Sequence, residues 1–297
     1  ISTPTQNELL PVISADGRSL YFTRARTGID GEAVFDIWMS KVTEDTLYSA
    51  AQFVGGNLAS SHGVAVLSVS PDNNTLYLLA NMHGDTPPEE RLSVTHRTTS
   101  GWSIPEPIHI PNLHVTGAVT DYSFGPDQRT VLMALDRDSS MGGRDLYVSF
   151  LDPTTRSWST PRWLGPVINS PYAEMTPFLA SDTKTLYFSS ARPGGIGEID
   201  VWRSVRLDDS WQKWTKPENL GPAVNRPGRT TYYTEDAAGK YAYIAWRASA
   251  ADQSDIFRIK PLHTSAVALV HGHVTDAKGH PLSARIHYER KSDGRDL

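Results

Sequence analysis

A repeat of about 55 residues runs through this 297-residue chain and constrains its fold more than any other feature. Each copy places an aspartate in a polar turn between two β-rich runs, and successive turn aspartates are 56, 55, 55 and 54 residues apart. They are Asp16, Asp72, Asp127, Asp182 and, with one extra residue after it, Asp236. A fixed period of this length is typical of architectures that repeat one supersecondary unit.

Two further series of residues keep the same period. In four copies an aspartate begins the third β-rich run and is followed by an apolar and then an aromatic residue: Asp36, Asp145, Asp200 and Asp255. A tryptophan late in the unit recurs every 56 residues, as Trp102, Trp158 and Trp214. Because three series agree in phase, one structural unit is expected to recur along most of the chain.

The most regular copy, residues 174–225, shows what the unit contains. Four short β-rich runs alternate with turns rich in Gly, Pro, Asp and Asn, which is the pattern of a small antiparallel sheet. Such a sheet hides both faces only against neighbours, so radial stacking into a β-propeller is predicted. We expect an all-β fold with five four-stranded antiparallel blades, or six if another unit precedes Ile1.

The repeat also predicts the domain boundaries, with a propeller over residues 1–264 and a different segment over 265–297. The blades are expected at about 8–61, 62–117, 118–173, 174–228 and 229–262. The fifth copy lacks the Trp–Pro–Leu fourth strand, while residues 1–7 resemble the end of one. We therefore expect the N-terminal strand to complete the last blade and close the ring.

Four arginines occupy one repeat position, at the end of the second strand: Arg26, Arg137, Arg192 and Arg247. The third-strand aspartate follows eight residues later in three copies and ten later in the first. Across a hairpin these positions can form an ion pair. The series is either a ring of charge that recognises a ligand or a repeated structural clasp, and its recurrence favours the clasp.

Composition and charge exclude several classes of function. With 28 basic and 33 acidic residues the net charge is -5, and no basic run indicates a nucleic-acid partner. No apolar stretch approaches the roughly 18–20 residues that span a bilayer, so the chain is not expected to cross a membrane. The absence of cysteine excludes disulfides and thiolate metal sites.

Motifs for catalysis, cofactors and metals are missing as well. There is no Gly-x-Ser-x-Gly or His-Glu-x-x-His motif, and the Gly-rich run at residues 193–197 lies in a hairpin rather than before a helix. We therefore predict no catalytic residue, no cofactor and no metal. Four C-terminal histidines are interpreted as solvated side chains rather than as ligands: His271, His273, His280 and His287.

The strings PVISADGRSLYF, SVSPDNNTLYL and TPFLASDTKTLYFSSARPGGIGEIDVW resemble the WD40-like propeller repeat of the TolB type. With the phrases WTKPENLGPAVN and WSTPRWLGPVINSP, they more closely resemble the version in OmpA-family envelope proteins of Bacteroidetes-type bacteria. This resemblance implies a periplasmic, outer-membrane-associated propeller with envelope protein partners, and some relatives anchor secretion machinery. Peptidoglycan is expected to bind only through a domain that is not in this chain.

A second resemblance concerns the C-terminal segment. The string AVALVHGHVTDAKGHPLSARIHY alternates in period two about a turn and resembles the start of a carboxypeptidase regulatory-like domain. Such a domain is a small transthyretin-like β-sandwich. Residues 265–297 are fewer than half of what it needs, so an incomplete sandwich is expected.

Taken together, these features favour a non-catalytic scaffold for protein–protein interaction in the cell envelope. One alternative is a lectin-like propeller that binds carbohydrate or muropeptide on exposed aromatic side chains, for which Trp163, Trp211 and Trp246 are candidates. A second alternative is a five-bladed glycoside hydrolase with carboxylates near the central channel, for which the candidates are Glu8, Asp121 and Glu174. Glu8 and Glu174 share a repeat position, which favours a structural role for those two.

Overall fold

The structure is a computed structural model that describes residues 2–3, 6–27, 33–44, 47–59, 63–80, 91–117, 119–260, 274–278, 280 and 282. In these residues the regular elements are strands, with one three-residue 3-10 turn at Gly56–Leu58. The strands form five small antiparallel sheets, one per repeat. The predicted all-β class and five-bladed propeller are therefore confirmed.

Within each blade the strands lie in chain order from the axis outward. Blade one contains β1 (Glu8–Ile13), β2 (Ser19–Thr27), β3 (Ala33–Glu44), β4 (Leu47–Tyr48) and β5 (Gln52–Phe53). Blade two contains β6 (Val64–Val69), β7 (Thr75–Ala80), β8 (Leu92–Thr98), β9 (Gly101–Trp102) and β10 (Glu106–Pro107). Blade three contains β11 (Asp121–Phe124), β12 (Thr130–Asp136), β13 (Arg144–Phe150) and β14 (Arg162–Trp163). Blade four contains β15 (Glu174–Leu179), β16 (Thr185–Ser190), β17 (Asp200–Val205) and β18 (Glu218–Asn219), and blade five contains β19 (Arg229–Glu235), β20 (Ala242–Arg247) and β21 (Asp255–Ile259).

The innermost strands β1, β6, β11, β15 and β19 surround the axis, and those of adjacent blades contact one another. The core lies between blades, because each sheet packs its apolar face on the next. The ring of Tyr77 stacks on that of Phe124 across the boundary of blades two and three, with centroids 3.9 Å apart. Tyr187 and Tyr233 stack in the same way between blades four and five, at 4.2 Å.

The N-terminal segment lies against blade five, whose sheet has three strands. The hydroxyl of Ser2 accepts a hydrogen bond from the Ile256 N–H (3.2 Å), and the Asn7 side chain accepts one from the Ser254 N–H (2.8 Å). In blade four the Asn225 amide bonds the third strand at the corresponding position. These two side-chain contacts, together with the backbone bond from the Glu8 N–H to the Ser254 carbonyl at 2.9 Å, join the two ends of the ring.

Four of the five turn aspartates lie where the repeat predicts, each in the tight turn between the first two strands of its blade. Their carboxylates accept backbone N–H groups that follow in the turn, as Asp182 does from Lys184 at 2.9 Å. The residue after each aspartate has a left-handed φ, and in blade four this residue is the β-branched Thr183, with φ of 57°. The carboxylate therefore stabilises a turn that the side chain at the next position disfavours.

Asp236 is not at the predicted turn position. Its N–H donates to the carbonyl of Tyr241, and in blade four it is the Ala180 N–H that makes this bond. Asp236 therefore lies two positions earlier in its turn than the other four aspartates. The left-handed position of this turn is taken by Gly239, with φ of 60°, so the glycine rather than the aspartate sets where the turn forms.

The three repeated tryptophans lie just before the fourth strands rather than in them. Trp102 is in β9, and Trp158 and Trp214 form isolated bridges with the residues that follow β13 and β17. Trp214 is buried, whereas Trp102 and Trp158 are half-buried. The fourth strand of each of these blades begins four residues further on, after three residues that belong to no regular element.

Two sequence predictions concern residues that are largely outside the description. Of the expected sandwich, the structure describes residues 274–278, 280 and 282, so the sandwich itself and three of the four C-terminal histidines lie outside the described residues. His280 is described, and its imidazole contacts the Asp276 carboxylate at 2.9 Å. Among the described residues, no helix is long and apolar enough to cross a membrane.

Candidate functional site

Glu8 and Glu174, two of the three carboxylates proposed for the channel, are structural. Both are fully buried, and each pairs with an arginine of its own blade: Glu8 with Arg24 at 3.1 Å, and Glu174 with Arg192 at 2.9 Å. Each also accepts hydrogen bonds from the segment that enters its blade, Thr3 for Glu8 and Ser170 for Glu174. Burial raises the pKa of both carboxyls despite these bonds. Both groups therefore fasten the start of an inner strand and are not exposed to the channel.

The predicted arginine–aspartate clasp forms in one blade, where Arg26 and Asp36 are 2.6 Å apart. In the other three blades it is absent, and the prediction was wrong there. The arginines bond elsewhere: Arg192 to Glu174, Arg137 to the Asn112 carbonyl at 2.8 Å, and Arg247 to the Ala250 carbonyl at 3.3 Å.

The ion pairs are missing because the third-strand aspartates accept hydrogen bonds from the hairpin loops that precede them. Asp200 accepts the backbone N–H groups of Ile196 and Gly197 and the side-chain amide of Asn219. In blade three Asp145 accepts the Met141 N–H at 3.1 Å and the Trp163 indole N–H at 2.8 Å. Because neighbouring N–H groups already bond both oxygens of Asp200 and one oxygen of Asp145, the arginines of these blades bond other partners.

A central channel of about 250 Å³ runs between the inner strands. Among the described residues, the carboxylates that line it are Asp121, at the start of β11, and Glu235, at the end of β19. They lie at opposite ends of the inner strands. Asp121 was among the candidates named from the sequence, and Glu235 was not. Glu235 ends the innermost strand of blade five at a position where the other blades have an apolar residue.

Asp121 is held by groups from three blades. Its carboxylate is 2.8 Å from the Arg144 guanidinium of blade three, and it accepts the Thr176 N–H of blade four at 3.2 Å. The Tyr232 hydroxyl of blade five is 3.4 Å away. Burial and the negative charge of Asp121 raise the pKa of Tyr232, so this hydroxyl keeps its proton and donates to the carboxylate.

β-Bulges in the inner strands aim these groups at Asp121. The pairing of β15 with β16 shifts between Met175 and Phe178, and Thr176 inside the bulge has a left-handed φ of 47°. Tyr232 lies in a matching bulge of blade five, with φ of 54°. Blade one has the same bulge, with Leu10 at a φ of 48°, so the bulge is a feature of the repeat rather than of a site. In blades four and five it places the Thr176 N–H and the Tyr232 hydroxyl beside Asp121, and this convergence makes this end of the channel a candidate site.

A second carboxylate, Asp136, lies on the same face of blade three. Asp121 is opposite Ala134 in the pairing of β11 with β12, and Asp136 is opposite Arg144 in the pairing of β12 with β13. The two aspartates are thus diagonal neighbours, a relationship that separates backbones by about 7–8 Å. Asp136 is half-buried, and no hydrogen bond from a described residue reaches its carboxylate.

Asp136 and Arg144 were missed in the sequence, although a signal exists. They flank the hairpin loop of blade three symmetrically, in the string DRDSSMGGRD, with Asp136–Arg137 before the loop and Arg144–Asp145 after it. The repeat drew attention to the inner pair, Arg137 and Asp145. Only the strand register shows that the outer pair faces Asp121.

Glu235 has a different environment at the opposite end of the channel. Its side chain is buried and accepts the Tyr233 hydroxyl at 2.7 Å. Burial, reinforced by the negative charges of Asp182 and Asp236, raises the pKa of Glu235 to about 7. The carboxyl is therefore partly protonated near neutral pH.

The tryptophans proposed as lectin platforms pack against, or form hydrogen bonds with, other residues of the fold. Trp211 is buried and packs on Phe150 and Trp214, so it does not present a face to solvent. Trp163 and Trp246 are half-buried and donate their indole N–H groups to Asp145 and to the Pro227 carbonyl. Among the described residues, no group of metal-ligating side chains that could hold an ion is present.

Known proteins are similar to this chain in fold. No protein-family model matches it, and no curated protein matches it. A solved glycoside hydrolase matches with a TM-score of 0.54 and 11% identity, over 90% of this chain and 91% of the hydrolase. The Bacteroides ovatus protein Xyloglucan PUL GH43B also has a TM-score of 0.54, at 13% identity, over 94% of this chain and 55% of its own length.

These solved structures overturn the prediction that the chain is not an enzyme, because its fold is one that glycoside hydrolases use. At 11–13% identity the likeness shows the fold, so an activity has to be argued from this chain's own residues. The resemblance to envelope propellers stays a prediction.

Proposed function

We propose that this propeller is a glycoside hydrolase whose catalytic carboxylates are Asp121 and Asp136. The observation that carries the proposal is a pair of aspartates on one face of blade three in contrasting environments, one of which, Asp121, lines the end of the axial channel. Asp121 is buried and paired with Arg144, whereas Asp136 is half-buried and its carboxylate accepts no hydrogen bond from a described residue. Glycoside hydrolysis uses two carboxylates with different roles, and their surroundings assign those roles.

Arg144 and the Thr176 N–H hold the Asp121 carboxylate in one orientation, so it can act as the nucleophile or as the base that activates water. Asp136 is assigned the other role, that of the acid at the leaving-group oxygen, because it is the second carboxyl on this face of the blade. Tyr232, which donates to Asp121, would orient the same carboxylate.

The fold supports the class of function, although not the choice of residues. Two solved structures are similar to this chain in fold, and one of them is a glycoside hydrolase. The bulges at Thr176 and Tyr232 support the place of the site, since they turn polar groups toward Asp121.

The test is hydrolysis by the purified chain against a panel of plant and bacterial polysaccharides and aryl glycosides, with released reducing ends as the readout. Asp121→Asn and Asp136→Asn should each lower kcat by at least about 100-fold, the lower end of general acid–base contributions. Asp138→Asn is the matched control, because Asp138 is an exposed aspartate of the same loop. Activity that persists in Asp121→Asn, or an inactive wild-type chain across the whole panel, would refute the proposal.

Location is a separate proposal that rests on the sequence resemblance alone. We propose that the chain resides in the periplasm, associated with the outer membrane and with envelope protein partners. Fractionation of the source cells followed by immunoblotting tests it. Recovery in the cytosolic fraction would contradict it without bearing on the hydrolase.

A further inference from the structure

A second cavity lies away from the axis, in a cleft of about 920 Å³ between blades two and three. One wall is formed by β7, β8 and β10 of blade two. The other is formed by the turn before β12 and by the outer hairpin of blade three, residues 151–158. We call this space the interblade cleft.

The neighbouring boundary, between blades three and four, shows how such a space is normally filled. Trp211 lies at a left-handed corner of blade four's outer hairpin, with φ of 59°. Its ring packs on Phe150 at the end of β13, with centroids 5.4 Å apart, and on Trp214 at 5.8 Å. Trp211 therefore plugs the boundary with a buried aromatic side chain.

At the boundary of blades two and three, the positions that correspond to Trp211 and Phe150 are both occupied by polar residues. Arg156 occupies the same left-handed corner, also with φ of 59°. His96 takes the place of Phe150, because it pairs with Thr75 as Phe150 pairs with Thr130. Replacement of the aromatic pair by an arginine and a histidine leaves the cleft open.

The residues that line the cleft suit an acidic, hydroxyl-rich ligand. Arg129 and Arg156 are exposed, and neither guanidinium forms an ion pair or a hydrogen bond with a described residue. The nearby Asp127 forms no ion pair with them, since its carboxylate accepts three bonds within its own turn. Two guanidiniums that line one cleft are suited to bind a ligand carboxylate.

The remaining lining suits a sugar. Trp158 lines the cleft, is half-buried and lies edge-on to Phe124 with centroids 5.6 Å apart, and an indole of this kind can pack against a pyranose ring. His96, His109 and Glu106 are exposed around it and can exchange hydrogen bonds with hydroxyl groups.

We propose that the interblade cleft binds an acidic oligosaccharide, with its carboxylate on Arg129 and Arg156 and a sugar ring on Trp158. This site is distinct from Asp121 and does not depend on the proposed hydrolase activity. Such a cleft would hold an acidic glycan on the propeller whether or not the channel cleaves it.

The binding test uses trigalacturonate as the probe, with maltotriose as the neutral comparison, in isothermal titration calorimetry at low salt. Wild type should bind trigalacturonate at least 10-fold more tightly than maltotriose, and added salt should weaken binding. Arg129→Gln/Arg156→Gln should lose at least 10-fold in affinity. The matched control Arg18→Gln removes an exposed arginine from blade one and should bind as wild type does.

A second variant copies the neighbouring boundary. His96→Phe/Arg156→Trp should fill the cleft and abolish binding while its melting temperature stays at or above the wild-type value. Asp121→Asn should bind trigalacturonate normally, which separates the cleft from the channel. Four results would each overturn the proposal. They are equal binding of the two trisaccharides, no binding by wild type, loss of binding in Asp121→Asn, and tighter binding of adenosine monophosphate, a phosphate ligand, than of trigalacturonate.

Discussion

The side chain of Asn225 bonds both backbone groups of Val201: its oxygen accepts the N–H at 2.8 Å, and its amide donates to the carbonyl at 2.9 Å. Asn169 does the same for Leu146 one blade earlier. In blades three and four a single side chain thus satisfies the start of the third strand, and it does so from the loop that leads into the next blade. The Asn–x–Pro segments at the ends of these two blades are therefore fasteners between consecutive blades.

The first prediction concerns these fasteners. Asn225→Ala should lower the free energy of unfolding by about 2–3 kcal/mol, because a buried N–H and carbonyl lose their partner. Ser2→Ala should cost less than about 1 kcal/mol, since Ser2 makes one such bond, to Ile256. Urea unfolding measures both. Ser2→Asn should be more stable than wild type, and a loss of stability in that variant would contradict the assigned equivalence.

A second prediction separates the buried from the exposed ion pairs. Arg192→Met should destabilise the fold by about 3–5 kcal/mol, because Glu174 would be left charged and fully buried. Arg26→Met is the matched control. Its pair with Asp36 has a half-exposed arginine and should contribute less than about 1 kcal/mol. Similar losses in the two variants would refute the structural role given to Glu174.

A third prediction follows from the raised pKa of Glu235. The folded state holds this proton up to about pH 7, whereas the ordinary pKa of a glutamate is 4.5, so the folded state binds more protons between these values. The contribution of Glu235 to stability is therefore full below about pH 4.5 and falls as pH rises through 7, by on the order of 3 kcal/mol.

Glu235→Gln isolates this contribution, because other carboxyls titrate in the same range. The charged and titratable groups around Glu235 are Tyr233, Tyr187, Asp182, Asp236 and Arg203. The difference in melting temperature between the variant and wild type should grow in favour of the variant from pH 5 to pH 8. A difference that is the same at both pH values would show that Glu235 does not bind the proton.

The fourth prediction concerns Thr183, a β-branched residue in a left-handed turn. Blades one and two have Gly17 and Asn73 at this position. Thr183→Asn should raise the free energy of unfolding by roughly 0.5–1 kcal/mol, because asparagine tolerates this backbone conformation. The reverse change in blade two, Asn73→Thr, should lower it. Urea unfolding of the two variants would contradict the argument if they shifted in the same direction.

The sequence predicted the blades well because a period reveals which residues are equivalent. The same period did not reveal which faces of neighbouring strands meet. Arg192 was therefore paired with Asp200 in the prediction, although the loop N–H groups already satisfy that carboxylate and the arginine reaches back to Glu174. The repeat also cannot show a bulge, so the placement of Thr176 beside Asp121 became visible only in the register of the strands.

The position of Asp121 among three blades makes its surroundings depend on the assembled ring. Arg144, Thr176 and Tyr232 reach it from blades three, four and five. The backbone N–H of Tyr232 also donates to the Thr176 hydroxyl, so blades four and five are joined beside the carboxylate. A chain in which these blades failed to dock would leave Asp121 without partners from two of its three blades, so the candidate site exists only in the completed ring.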